Sequence, residues 1–216
     1  MNEPHDTAVL ISINPHWCQL IASGKKTIEV RKTRPQIKTP FKCYIYCTKD
    51  KGNSGPATHF FESDDGTFYS AGKTFSAFLS GTVIGEFVCD YIEHYVTLYT
   101  PNYATLYMKE EYGEVISSID FGATCLTEDD FFAYGKCDDL FGWHISNLRI
   151  YDHPKKLSDF SKPCPNKKIC IFCDHHYTET TDNDGRCIDP EYCSYFEIDE
   201  SKIKRAPQSW SYIEEV

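Results

Sequence analysis

The stretch from Ser12 to Pro35, SINPHWCQLIASGKKTIEVRKTRP, constrains this chain most, because its punctuation defines a strand, a short helix and a second strand in succession. Asn14 is a good N-cap, Pro15 suits the first helical position, and Gly24 suits a left-handed helix stop. Trp17, Leu20 and Ile21 recur at helical spacing and are predicted to pack inward. The strand that follows, Thr27-Ile28-Glu29-Val30-Arg31, alternates: Ile28 and Val30 belong to one face, Thr27, Glu29 and Arg31 to the other. The first face is expected to feed a core and the second to offer a polar row. Lys25 and Lys26 bring two cations to the mouth of that strand, the composition of an anion-facing turn and equally of a solvated one.

Three segments carry a resemblance. Ile11 to Pro35, with its core SGKKTIEVRK, resembles the opening signature of ASCH (activating signal cointegrator homology) domains, members of the PUA-like superfamily. Gly142 to Phe160, GWHISNLRIYDHPKKLSDF, is similar to a late strand of phage and bacterial members, and Arg205 to Glu214, RAPQSWSYIE, to their closing strand. The resemblance implies an α+β fold: a small PUA-like β-barrel with a helix after the first strand. It also implies binding of RNA or a modified nucleoside or nucleotide in a cleft roofed by that helix, in a regulatory and phage or bacterial setting. Members of the family do not share one activity, so the fold alone does not deliver a function.

At 216 residues, 41% hydrophobic and 15% aromatic, the chain can bury one sizeable core and hold an appendage. The expected organisation is a barrel core over 1–162, a cysteine-rich insertion over 163–198 and a closing strand over 199–216. No apolar run approaches the roughly 20 residues a bilayer requires, and MNEPHDTAVLISI lacks the pattern of a secretory leader. A cytoplasmic protein of a bacterial or phage-infected cell, without a membrane partner, is therefore expected.

The 11 cysteines divide into two sets. Cys18, Cys43, Cys47, Cys89, Cys125 and Cys137 fall in apolar or mixed stretches, where a cysteine acts as a small buried hydrophobe. Cys43 and Cys47 share one face of a predicted strand, which admits a redox pair beside plain packing. The others crowd into PCPNKKICIFCDHHYTETTDNDGRCIDPEYC, too polar to build a core and so in need of a cross-link. Cys170 and Cys173 form a C-x2-C knuckle, and after thirteen intervening residues Cys187 opens a looser pair with Cys193. That set suits a structural zinc ion, with Cys164, His175 and His176 as spare ligands; free thiols and a disulfide are the alternatives. A calcium loop is excluded by the spacing of Asp174, Asp182, Asp184 and Asp189.

Phe41–Lys49 and Thr82–Tyr91 read as strands, and Asp50–Gly81, rich in glycine, as a long loop or hairpin insertion. Tyrosines at 91, 95, 99, 103, 107 and 112 suit either base stacking or the cover of a barrel surface. Thr127 opens a helix, TEDDFFAYG, with Asp130 at its third position and Gly135 as stop, predicted to plug one end of the barrel.

A net charge of −10 opposes sequence-independent capture of long nucleic acid and favours a small ligand. Lys25, Lys26, Glu29 and Arg31, with Trp143 or His144 from the late strand, are the candidate ligand-binding residues. Glu29 suits an exocyclic amine, Lys26 and Arg31 a phosphate or carbonyl, and Trp143 or His144 a base face. Trp143 and His144 are neighbours on one strand, so only one of them can face the cleft. The bland reading makes Glu29 and Arg31 a surface ion pair worth about 0–1 kcal/mol. Some family members are amidohydrolases acting on N4-acetylcytidine, and the resemblance would give Lys26 and Glu29 the catalytic roles. Glu29, however, stands where their threonine nucleophile would, and a carboxylate does not inherit a hydroxyl's acyl-transfer chemistry. Sequestration of a host nucleotide signal is a further alternative; a protein partner is not specified by any motif.

Overall fold

The run AVLISI is apolar without alternation because strand β1 (Thr7–Ile13) is covered on both faces. Val9, Ile11 and Ile13 enter one core and Ala8 and Leu10 another. The structure, a computed structural model, describes residues 7–49, 80–99, 104–109, 115–116, 119–136, 138–163 and 201–215. Helix α1 (Pro15–Ala22) follows, then β2 (Ile28–Arg31), β3 (Phe41–Cys47), β4 (Thr82–Cys89), β5 (Ile92–Tyr99), β6 (Ala104–Lys109) and β7 (Val115–Ile116). Two short helices, α2 (Phe121–Thr124) and α3 (Glu128–Gly135), precede β8 (Leu140–His144), β9 (Ser146–Lys155) and β10 (Trp210–Glu214).

The α+β class holds, but the strands among the described residues form two five-stranded sheets and not a closed barrel. One runs β10-β1-β3-β4-β9 and the other β2-β8-β5-β6-β7. All pairs are antiparallel except β1 with β3. The segment read as one late strand is two: the chain leaves the second sheet at His144, passes Ile145, and enters the first at Ser146 as β9, whose second residue, Asn147, is left-handed (φ 48°). That step lets consecutive residues serve different sheets.

The main core joins β1, α1, β3 and β4 to Trp143 of the other sheet. A second cluster covers the opposite face of the first sheet with Phe160 and Ile203. The third lies on the far face of the second sheet, where Phe131 of α3 meets Val30, Tyr95 and Leu140. Helix α3 therefore lies on a sheet face and plugs no barrel end. Its capping box, Thr127 with Asp130, is present as predicted. Its stop is one residue later than expected: Gly135 is the last helical residue and Lys136 takes the left-handed conformation (φ 51°).

Cys18, Cys43, Cys47 and Cys89 are free and fully buried, in keeping with their reading as small hydrophobes. Cys43 and Cys47 do share a core, but each has a different thiol beside it: Cys89 next to Cys43, and Cys18 next to Cys47. Cys125 differs, half-buried and left-handed (φ 53°). Among the described residues no helix is long and apolar enough to cross a membrane. The predicted loop over 50–79, Cys137, Tyr103, Tyr112, and the whole cysteine-rich set of Cys164, Cys170, Cys173, Cys187, Cys193, His175 and His176 lie outside the described residues.

Candidate functional site

Helix α1 ends as its composition requires. Asn14 caps it by accepting from the His16 amide, and Gly24 adopts φ 70°. The Lys25 and Lys26 amides both return to the Leu20 carbonyl at 3.0 Å, and this turn separates the two lysines. Lys25 is exposed, whereas Lys26 is buried to 2% exposure.

The expected polar row on β2 is a polar interior. Ile28, Glu29, Val30 and Arg31 are all buried; Thr27, outside the strand, is exposed. The alternation holds, but the second face is turned inward: Trp17 of α1 lies against Lys26, and the Ser12 carbonyl of β1 accepts from Arg31. The Glu29–Arg31 surface pair is thus a buried one: Glu29 Oε1 lies 3.0 Å from Arg31 Nη2, and Glu29 Oε2 lies 3.5 Å from Lys26 Nζ. Arg31 Nη2 also donates to the Ser12 carbonyl of β1 at 2.6 Å. Lys26 Nζ donates to the Thr124 carbonyl of α2 at 2.5 Å and sits 5.0 Å from the centre of the Trp17 ring. Burial pulls the Lys26 ammonium below the usual lysine range, against the opposing field of Glu29.

Trp143 stands directly opposite Glu29 across the β2–β8 ladder, so the two side chains share a face. Its ring is fully buried, 5.8 Å from Phe41 and 6.0 Å from Trp210. It therefore has no free face on which a base could stack; what it offers the site is its indole N–H. Among the described residues, Trp143 Nε1 and Arg31 Nε are buried donors with no hydrogen-bond partner. Such groups are uncommon in folded proteins and costly when left unanswered.

His144 faces away from this cluster, as adjacency on a strand dictates. Its Nε2 meets Glu93 Oε1 at 2.9 Å, while the Tyr95 hydroxyl donates to Glu93 Oε2. The bond to Glu93 raises the His144 pKa, and the bonds from His144 and Tyr95 hold the Glu93 carboxyl low against the upward pull of burial. Gly142 makes room for this arrangement, since a Cβ there would lie 2.3 Å from the Tyr95 oxygen. Sequence reading misses Glu93 and names Tyr95 only within the tyrosine series, as a stacking or surface residue, whereas it is buried on the same face of β5 as Glu93. It also missed the Thr124 carbonyl, which no side-chain pattern announces.

A separate cleft of about 390 Å³ lies on the face of β3, β4 and β9, lined by Lys42, Glu86, Arg149, Tyr151, Asp152 and Lys155 among others. Tyr151 donates to Glu86 there at 2.5 Å, and Lys42 pairs with Glu215.

Neither a scan against protein-family models nor a search of curated proteins found a match for this chain. Among solved structures the chain is similar to the crystal structure of ASCH from Zymomonas mobilis, with 16% identity over 69% of this chain and 73% of that one and a TM-score of 0.41. Two single-substitution variants of the Zymomonas mobilis protein are similar to it as well, at 16% and 17% identity, over 69% and 72% of this chain and 76% and 78% of theirs, each with a TM-score of 0.40. These solved neighbours carry the name of the domain that Ile11–Pro35 resembles.

Proposed function

We propose that the protein binds a modified nucleoside or nucleotide, free or within RNA, in the cleft beside α1. The observation that carries this reading is the unspent hydrogen-bonding capacity beneath the helix: Arg31 Nε and Trp143 Nε1 are buried without partners, next to an ionic cluster of Lys26, Glu29 and Arg31. A planar, polar ligand with carbonyl or phosphate oxygens answers such donors. The chain's net charge of −10 favours a small ligand or a short single strand over a long duplex. Native mass spectrometry of freshly purified full-length protein tests it. A nucleotide-sized increment over the denatured mass is expected, and its loss in Trp143→Phe, which removes the N–H and keeps an aromatic ring. An increment unchanged in Trp143→Phe contradicts placement at this site.

One observation favours a second reading as a hydrolase of a modified nucleoside. Lys26, with its pKa lowered by burial, sits 3.5 Å from a carboxylate, an arrangement suited to proton transfer. Deacylation of N4-acetylcytidine is its assay. If Glu29 is the general base, Glu29→Gln lowers turnover by about two or more orders of magnitude; a binder loses only affinity.

For the cysteine-rich segment we propose a structural zinc ion on Cys170, Cys173, Cys187 and Cys193, on the basis of their spacing. The same mass spectrum reads it as a zinc-sized increment, lost in Cys170→Ser. Absence of that increment in reducing, chelator-free buffer contradicts it.

A further inference from the structure

The buried cluster beneath α1 has a one-sided inventory. Both oxygens of its single carboxylate are engaged by cations, Oε1 by Arg31 and Oε2 by Lys26. The Thr124 and Ser12 carbonyls that face it are engaged as well, by Lys26 and Arg31. What remains unanswered is made only of donors, Arg31 Nε and Trp143 Nε1. Two basic residues also stand against one acidic one, all three buried. An amine or ring N–H entering this site would share the Glu29 oxygens with Lys26 and Arg31 and leave both orphan donors unanswered. An acceptor breaks none of these hydrogen bonds, and a negatively charged one also balances the surplus cation. Arg31 lies two residues beyond Glu29 on the same face of β2, diagonal to Trp143 on β8, a spacing of about 7–8 Å that long side chains span.

We infer that the group entering this site is an anion, the phosphate of a nucleotide or of a short RNA strand, held by Arg31 Nε and Trp143 Nε1, and that Glu29 orients the two basic residues and does not itself read a base edge. The inference rests on the nucleoside or nucleotide reading above and deepens it. Charge-assisted hydrogen bonds of this kind are roughly twice as strong as neutral ones.

Isothermal titration of the full-length protein with inorganic phosphate, cytidine, cytidine 5′-monophosphate and an unphosphorylated cytidine trinucleotide tests it. The monophosphate is expected to bind at least about tenfold tighter than cytidine, and Trp143→Phe to reduce that advantage to about twofold or less. A trinucleotide that matches the monophosphate points to the strand as the natural source of the phosphate; a weaker one points to the free nucleotide. Equal affinity for cytidine and its monophosphate overturns the inference and leaves nucleoside binding standing. Binding of inorganic phosphate with no gain from the base supports the anion site and overturns the nucleoside reading. Silence from all four probes overturns both. Should Trp143→Phe fail to fold, Arg31→Lys, which keeps the charge but loses the guanidinium geometry, is expected to abolish the same advantage.

Discussion

At the scale of single residues, Glu29 decides whether the cluster is tolerable in a protein interior. It is the acid that answers Lys26 and Arg31, and both cations are buried with it. Removing one partner of a buried ionic group leaves uncompensated charge, at a cost of about 3–5 kcal/mol. Glu29→Gln is therefore expected to lower unfolding stability in urea by about that amount, with a change below about 1 kcal/mol contradicting the role given to it. His144 supplies the pH dependence. Its folded pKa is raised above the unfolded value by Glu93, so its contribution is fully present below about pH 6.5 and is lost as the pH rises through the folded pKa. Glu93 runs the other way, since its depressed pKa contributes above the ordinary carboxylate range and is lost in acid. The stability gap between the protein and His144→Asn is thus expected to be widest near pH 5–6 and to shrink above pH 7, measured by urea unfolding across that range. With His144 partly exposed the gap is at most about 1 kcal/mol. A gap that grows with pH contradicts the sign. These residues were legible in the sequence to unequal degrees. Alternation on β2 marks Glu29 and Arg31 as polar neighbours and the glycine turn brings Lys26 beside them, but alternation is blind to what covers the second face, and so a buried cluster reads as a surface row.

Among the elements, local signals were the reliable ones. Asn14, Pro15 and Gly24 delimit α1, and Thr127 with Asp130 starts α3, because caps act within a few residues and need no tertiary context. Sheet membership was not legible. Gly142 to Phe160 reads as one strand, but nothing in its composition says that β8 and β9 belong to different sheets; that follows from long-range pairing with β2, β5 and β4. The β4–β9 pairing also depends on a feature invisible in sequence. A Cβ at Gly85 would lie 2.4 Å from the Arg149 carbonyl, a backbone atom that cannot rotate away, and the register shifts at that point. Gly85→Ala is expected to destabilise the fold by about 1–3 kcal/mol or more, seen as a lowered urea midpoint. An unchanged midpoint contradicts the tight approach of β9 to β4.

At the scale of the whole molecule, two sheets, three apolar clusters and a buried ionic site among the described residues divide the work. The clusters on either face of the first sheet enclose β1 and the central β3, and Trp143 carries the second sheet into the main core. The ionic site lies where both sheets and helices α1 and α2 meet, since its groups come from β2 and the turn before it, β1, α2 and β8, with Trp17 of α1 against Lys26. Its position at that meeting point, and not any single residue, makes it the place where a bound ligand would be felt by the whole fold. The most direct measurement uses the three tryptophans as reporters. In protein labelled with ¹⁵N at the indole nitrogens, Trp143→Phe identifies the Trp143 signal, and cytidine 5′-monophosphate is then titrated into the unsubstituted protein. A saturating downfield shift of that N–H, larger than those of Trp17 and Trp210, is the predicted result. A Trp143 signal that stays in place while the nucleotide binds contradicts a ligand seated on the buried donors.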